Sequence, residues 1–286
     1  TASSHALHHW LQLPAGVTQR DDLSGLVASL RPEGSTLAVD GRLGFHQEIA
    51  SASWPDLNDL TASAGGRGRW LAQLQNPSRL LDPSETHPLA QWFGPLLSAR
   101  LHDLPAAEAV VQSDEGPLLW QEQPEGWLLA TRNQDPERDV VDARLQEQGL
   151  TRSELEGEGD VLNVWTRLVR QRGRQPGVDA QLAVAQVRSP SLNWWGESLM
   201  ALAQRQDSRA LQPRLNQWRD LGAEAQPVQA LLLADEPARV LLGQWRPWGL
   251  LQVMAGRPLQ DHVRGLAVAV DADRQDQRGT GIPLHA

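Results

Sequence analysis

The sequence contains no cysteine and no lysine, and these two absences exclude several kinds of chemistry. Without cysteine the chain cannot form a disulfide bond, a cysteine nucleophile, an iron–sulfur cluster or a thiolate zinc site. Without lysine it has no Schiff base, no Walker A lysine and no strand lysine of the usual protein kinases. Enzyme classes that depend on these groups are therefore ruled out.

Tyrosine is also absent, and phenylalanine and isoleucine each occur only twice in 286 residues. Leucine, alanine and valine must therefore fill the core, while twelve tryptophans supply most of the aromatic volume. Trp92, Trp165, Trp195 and Trp218 all fall in apolar stripes, which favours a core role over stacking on sugar rings. The total of 40% apolar and 21% charged residues is ordinary for a globular protein.

The formal net charge of −9 argues against nucleic acid as a partner, because binding to phosphates needs a clustered cationic surface. No stretch approaches the 18 or so consecutive apolar residues of a membrane-spanning helix, so the sequence predicts no transmembrane segment. The chain starts at Thr1 without a charged and apolar leader, so we expect that any targeting segment was removed or never present. The oligomeric state is left open.

Helical spacing of apolar residues predicts helices in many parts of the chain. The predicted helices are Leu7–Leu13, Leu23–Leu30, Trp54–Leu60, Trp70–Leu74, Pro88–Leu101, Pro136–Gln148, Ser191–Gln204, Ser208–Leu221, Pro237–Trp245 and Trp248–Ala255. Alternating or β-favouring runs predict strands. These are Thr36–Phe45, Ala107–Gln112, Pro117–Gln121, Gly126–Thr131, Val161–Val169, Ala180–Val187, Val228–Ala234 and Val263–Val270. Thr36–Phe45 fits either one bulged strand or a tight hairpin.

These elements predict an α+β fold with antiparallel sheets, a meander plus a hairpin, packed by amphipathic helices. The run Leu37–Asp40 has echoes at 182–185 and 266–271, which leaves repeated α+β units open as an alternative. We expect an N-terminal α+β subdomain at residues 1–75, a main α+β domain at 87–275 and a polar, frayed tail at 276–286.

Catalytic and metal motifs are weak. His5 and His9 are spaced to share a helix face, but no HExxH motif accompanies them, so no metal site is predicted. The chain lacks GxSxG, and Ser198 falls inside a predicted helix rather than on a strand-to-helix elbow. No catalytic residue and no cofactor is predicted. Paired carboxylates cannot be assigned from spacing alone, which keeps a hydrolase open.

The concentrated positive charge of this acidic chain lies at Arg167, Arg170, Arg172 and Arg174. These arginines are candidates for binding an anionic headgroup, a carboxylate or a partner surface. The alternative is that they lie in a solvated loop between two strands and bind nothing. Trp194 and Trp195 are adjacent in a predicted helix, where neighbours point about 100° apart, so one of them should be partly exposed. Trp194 is therefore added to the candidate binding residues.

The runs DVLNVWTRLVRQRGRQPG, SLNWWGESLMAL and QALLLADEPARVLLGQWRPWGLLQ resemble a family of uncharacterised cyanobacterial proteins with a domain of unknown function. The resemblance covers roughly residues 87–275. It implies a cyanobacterial source and a membrane-tethered, extracytoplasmic location, either periplasm or thylakoid lumen, although this sequence lacks the anchor usual in the family. No functional residue carries over.

Together these observations predict a non-enzymatic binding or assembly module at a membrane surface, whose partner is a membrane protein or an anionic membrane surface. A hydrolase, directed at glycans and using paired carboxylates, is the main alternative. A purely structural unit of a larger repeated ectodomain is the second.

Overall fold

The computed structural model describes residues 23–33, 36–45, 70–85, 88–133, 135–156, 161–171, 177–205, 227–244, 246–271 and 281–285. These residues form twelve β-strands, seven α-helices and one 3₁₀ turn. Every strand pairing is antiparallel. The predicted α+β class with antiparallel sheet and packed helices is confirmed.

The strands are β1 Leu23–Glu33, β2 Thr36–Phe45, β3 Trp70–Leu74, β4 Leu118–Gln123, β5 Gly126–Arg132, β6 Thr151–Glu156, β7 Val161–Gln171, β8 Gly177–Arg188, β9 Leu192–Gly196, β10 Pro227–Ala234, β11 Gly265–Asp271 and β12 Gly281–His285. The helices are α1 Pro77–Leu80, α2 Pro88–Leu101, α3 Pro105–Ser113, α4 Asp135–Glu147, α5 Leu199–Gln204, α6 Asp235–Gln244 and α7 Arg246–Ala255, with the 3₁₀ turn at Gln260–His262.

All twelve strands lie in one sheet, in the order β1-β2-β12-β11-β10-β3-β4-β5-β9-β8-β7-β6. Side chains alternate between its two faces, so neighbouring residues enter different apolar layers. Trp120, Leu129 and Trp165 belong to the layer that also holds the buried residues of α2, α3 and α4. Leu119 and Leu128 belong to the opposite layer, together with Leu202 of α5. The centre of the sheet is therefore buried on both sides.

The strand order is symmetric about the central pair of β3 and β10. Outward from β3 the neighbours are β4, β5, β9 and β8, and outward from β10 they are β11, β12, β2 and β1. The chain order matches as well, because the β1–β2 hairpin precedes β3 as the β8–β9 hairpin precedes β10. In both halves one or more helices separate the central strand from the next strand out.

The predicted repeat does not correspond to this symmetry. The three similar Leu/Ala/Val runs lie on β2, β8 and β11. Under the twofold arrangement β2 matches β9, β8 matches β1 and β11 matches β4, so no two of the three runs occupy matching strands. Short apolar runs of this composition simply fit any buried strand.

Three short predictions gave the wrong type of element. Leu23–Leu30 and Trp70–Leu74 were predicted as helices and are strands, because pairing with neighbouring strands overrides local helical spacing. Ala107–Gln112 was predicted as a strand and lies inside α3, which begins at Pro105 and buries Val110 and Val111. Apolar runs of about five to eight residues fit either type of element.

Two further boundaries were wrong. Ser191–Gln204 was predicted as one helix, but it divides into β9 and the short helix α5, with Ser198 accepting a bond from the Ala201 amide as N-cap. The tail was predicted to be frayed, but Gly281–His285 forms β12 between β2 and β11. Strand β6, Thr151–Glu156, was not predicted, because its alternation of polar residues has no apolar periodicity.

Helix α1 and the 3₁₀ turn were not predicted. The remaining described elements were predicted within a few residues, including α2 despite Pro95 inside it, α4 with Gly149 after it, and the β7–β8 hairpin. Thr36–Phe45 is a single strand, with Asp40 and Gly41 paired to Ser29 and Ala28. The predicted helices Leu7–Leu13, Trp54–Leu60 and Ser208–Leu221 lie outside the described residues. The division into subdomains at 1–75 and 87–275 stays a prediction.

Candidate functional site

Strands β7 and β8, the longest pair among the described residues, extend beyond their neighbours in the sheet. The two strands pair with each other from Leu162↔Val187 to Gln171↔Gly177. The edge strand β6 stops at Thr166 of β7, and β9 stops at Ala185 of β8. Residues 167–171 and 177–181 therefore form a two-stranded ribbon without a further described strand on either side, which we call the β7–β8 arm.

The residues of the arm whose burial is described, 167–170 and 177–181, are all exposed. Leu168 and Val178 are 69% and 66% exposed, which is high for side chains of this kind. The pairs Leu168↔Ala180 and Arg170↔Val178 put these four side chains on one face, since paired residues point the same way. This face therefore combines aliphatic surface with a cation.

The base of the arm is held by a polar network around Trp165, which is 2% exposed. The indole Nε1 donates to Asp142 Oδ1 of α4 at 2.7 Å. Arg152 of β6 lies 5.7 Å from the Trp165 ring centre, and its Nη2 donates to Asn163 Oδ1 at 2.7 Å. Trp195 of β9 packs against the other side chains of this layer, with its ring centre 5.4 Å from that of Trp165. Strands β6, β7 and β9 and helix α4 are thus tied together where the arm leaves the sheet.

A small cleft of about 180 Å³ lies beside the base of the arm. Its polar lining includes Asp103, Gln148, Arg167 and Glu197, and Trp127 and Leu182 contribute to its apolar walls. Small-molecule sites usually measure about 300–1,000 Å³, so this cleft is below the ordinary range. It could hold a small polar group but not several sugar units.

The polar groups of the cleft serve structural contacts. Glu197 Oε2 accepts a bond from the Trp127 amide at 3.2 Å, and the Glu197 amide donates to the Trp127 carbonyl at 3.1 Å, which joins β5 to the end of β9. Gln148 Nε2 donates to the Pro105 carbonyl at 2.9 Å. Arg167 Nη2 reaches the Gln148 carbonyl at 3.5 Å. Two carboxylates line the cleft, but one of them already binds the backbone.

We expect Gly126→Ala to lower the free energy of unfolding by about 1–2 kcal/mol, because Gly126 has φ +121°, which L-residues rarely adopt. A Cβ there would also lie 2.6 Å from Glu197 Oε2, although that side chain can rotate away at the cost of its bond to Trp127. Urea unfolding followed by circular dichroism measures the change. Gly149→Ala provides a comparison at a positive φ of +78°, nearer the left-handed helical region, with nothing within 4 Å, so a larger loss at Gly126 reports its more extreme φ and its contact with Glu197 together.

The three described residues among the five sequence-predicted binding residues do not form one site. Arg167 lines the cleft, and Arg170 lies farther along the arm. Arg172 and Arg174 lie outside the described residues. Trp194 is 5% exposed in the layer opposite Trp165 and is not available at the surface. The expectation that one of Trp194 and Trp195 is partly exposed is wrong, because both lie on a strand whose two faces are covered.

Sequence reasoning missed the residues that build this site. Asp142 and Arg152 lie on different elements from Trp165 and meet it only through the fold. Asp103, Gln148 and Glu197 carried no motif. The one available signal was the run of β-favouring residues past Thr166, which showed that β7 is long.

Shifted pKa values in the described residues have ordinary surface causes. Hydrogen bonds from the Ser84 hydroxyl and amide lower the pKa of the Asp82 carboxyl. Hydrogen bonds to Glu85 and Glu122 raise the pKa of Arg79 and of Arg100. None of these three groups lines the cleft. Within the described ranges no cluster of three His, Asp or Glu side chains is arranged to hold a metal ion, and His5, His8 and His9 lie outside those ranges.

Comparison with known proteins gives this chain no relative. No protein-family model, no curated protein and no solved structure matches it. The helices in the described part of the chain include none that is long and apolar enough to cross a membrane. The resemblance to a cyanobacterial family stays a prediction.

Proposed function

We propose that this protein is a non-enzymatic binding module that docks on an anionic membrane surface through the β7–β8 arm. The observation that carries the proposal is the exposed face of the arm, where Leu168 and Val178 flank Arg170. Segments that bind membrane interfaces combine apolar side chains that enter the acyl boundary with cations that meet anionic headgroups.

The arm projects away from the acidic body of the protein, so it can reach an anionic surface that repels the body. With a net charge of −9, the molecule as a whole is repelled by an anionic surface. From Thr166 the strand continues for five residues to Gln171, which at about 3.3 Å per residue carries it roughly 17 Å outward. The Debye length at physiological salt is about 8 Å, so the arm can touch a surface whose repulsion of the body is largely screened.

The expected affinity is modest. Each arginine near an anionic leaflet contributes about 1 kcal/mol, so Arg170 contributes about that much, and Arg167, which lies at the base of the arm on its other face, contributes at most the same. Partial burial of Leu168 and Val178 adds to this, at about 25 cal/mol per Å² of apolar area. Such binding is reversible and would suit a second attachment beside an anchor or a membrane protein. Arg172 and Arg174, which follow in the sequence, would raise it further.

Co-sedimentation with phosphatidylcholine vesicles, with and without phosphatidylglycerol, tests the proposal. We expect binding only to the anionic vesicles, and a loss of about tenfold or more for Arg167→Gln/Arg170→Gln, from about 1 kcal/mol per charge. Arg257→Gln/Arg264→Gln is the matched control, because it removes the same charge from two other exposed residues. Leu168→Ser/Val178→Ser should weaken binding at unchanged charge.

Equal binding by the arm variant and the control variant would refute the arm as the docking element. Binding that requires a membrane-protein extract and is absent from pure anionic vesicles would instead indicate a protein partner. The periplasm or thylakoid lumen remains the proposed location, on the basis of the family resemblance alone.

The hydrolase alternative rests on one feature, a cleft that two carboxylates and Trp127 line. Its small volume and the use of Glu197 to bind the Trp127 backbone favour a structural role for these groups. The second alternative, a structural unit of a larger repeated ectodomain, is supported by the twofold strand order within the chain.

A further inference from the structure

The outer edge of β1 is unlike the matching edge of β8. Strand β8 is paired on both sides, by β9 and by β7. Strand β1 is paired by β2 along ten positions, and among the described residues it has no strand on its other side. An uncovered edge of this length presents a row of unpaired amides and carbonyls that proteins normally cover or block.

The two hairpins match residue by residue. The pair Leu30↔Val39 corresponds to Gln186↔Trp195, each position lying 156 further along the chain (186 − 30 and 195 − 39). Two residues connect the paired ends in both, 34 and 35 between Glu33 and Thr36, and Pro190 and Ser191 between Ser189 and Leu192. The same spacing can therefore be used to find the counterpart of β7.

The helices that follow the central strands support the match. Strand β3 ends at Leu74 and β10 at Ala234, and the third residue after each end is a proline. The sequences from these prolines are similar, PSRLL at 77–81 and PARVL at 237–241. Each begins or enters a helix, α1 and α6. Matching topology, matching loops and matching sequence indicate two copies of one unit.

The counterpart of β7 in the first copy falls near residues 5–15. Strand β7 contains Leu162, Trp165 and Leu168, and 155 positions earlier the sequence has Leu7, Trp10 and Leu13 with the same spacing. The spacing alone is weak, because it recurs at Leu215, Trp218 and Leu221. The position of Leu7, Trp10 and Leu13 is the stronger evidence, because their offset of 155 from β7 is within one residue of the 156 positions that relate the two hairpins.

We propose that the outer edge of β1 is a strand-docking site, and that its occupant is the segment 5–15 of this same chain, paired as β7 pairs with β8. This proposal is independent of the function assigned to the arm. The pair Val164↔Ala185 of β7 and β8 translates to His9 and Ser29. The segment then continues the symmetric order, so that β1, like β8, is covered.

The absence of cysteine from the chain makes a disulfide test clean. We expect His9→Cys/Ser29→Cys to close an intramolecular disulfide at least about tenfold faster than His8→Cys/Ser29→Cys, because a one-residue shift points the side chain to the opposite face. Non-reducing electrophoresis and thiol titration measure the rates. Equal rates would overturn the proposed register, and disulfide-linked dimers would overturn the proposed occupant in favour of a second copy.

Hydrogen exchange on the unsubstituted protein provides a test that does not depend on the variants folding. An antiparallel edge strand bonds every second amide, whereas a strand paired on both sides bonds them all. We expect protection at consecutive amides from Val27 to Arg31, comparable with that of 183–187 in β8. Protection that alternates along β1 would overturn the proposal.

Discussion

Trp165→Ala is expected to lower the free energy of unfolding by about 3–5 kcal/mol, the ordinary cost of removing a large buried aromatic side chain. Trp165 is 2% exposed, and its ring meets Trp195 at a centroid distance of 5.4 Å. Truncation would leave a cavity and would also remove the donor to Asp142 Oδ1 at 2.7 Å. Urea unfolding followed by far-ultraviolet circular dichroism measures the loss without depending on tryptophan fluorescence.

Leu168→Ala is the matched control on the same strand. Leu168 lies three residues beyond Trp165 and is 69% exposed, so we expect a change within about 0.5 kcal/mol. Trp165→Phe separates packing from hydrogen bonding, because it keeps an aromatic ring but removes the indole donor to Asp142 Oδ1, so that the carboxylate keeps only Gln146 at 3.2 Å and Arg152 at 3.6 Å, both on Oδ2. A loss below 1 kcal/mol for Trp165→Ala would mean that the arm and its base are not part of the cooperative core.

The long helices and strands could be predicted from the sequence because their residue patterns extend over many positions. Helix α4 carries a start, a periodic face and Gly149 in the left-handed region at φ +78°, and these agree with one another. The β7–β8 hairpin could be predicted because β-favouring residues run through Val161–Val169 and an alternating pattern follows at Ala180–Val187, and the two strands pair at ten positions. Trp70–Leu74 had five residues and no caps, so its placement between β4 and β10 decided its conformation.

The candidate site was harder to predict from the sequence, because it depends on where neighbouring strands end relative to one another in the sheet. Arg167 and Arg170 were chosen for their charge, but the exposure of Leu168 and Val178 results from β6 and β9 stopping early. Trp194 was predicted to be a binding residue because residues 191–204 were predicted as a helix, but Trp194 lies on strand β9. Its burial follows from a strand at the centre of a sheet, where both faces are covered.

Gly94→Ala and Gly249→Ala are expected to change stability in opposite directions, although the two glycines occupy similar settings. Gly94 follows Phe93 in α2, and Gly249 follows Trp248 in α7, each helix lying between a central strand and the next strand outward. A Cβ on Gly94 would lie 2.3 Å from the Leu80 carbonyl oxygen of α1, and this backbone atom cannot rotate away. A Cβ on Gly249 would meet nothing within 4 Å.

We therefore expect Gly94→Ala to cost about 3 kcal/mol, the upper end of ordinary overpacking, because α1 and α2 must separate. Gly249→Ala should stabilise the protein by about 0.5–1 kcal/mol, since alanine restricts the unfolded chain and favours a helix interior. Paired urea titrations measure both changes. Equal stability of the two variants would contradict the close packing of α1 against α2 at Gly94. The contact between Gly94 and the Leu80 carbonyl would then not be a difference between the two halves of the sheet.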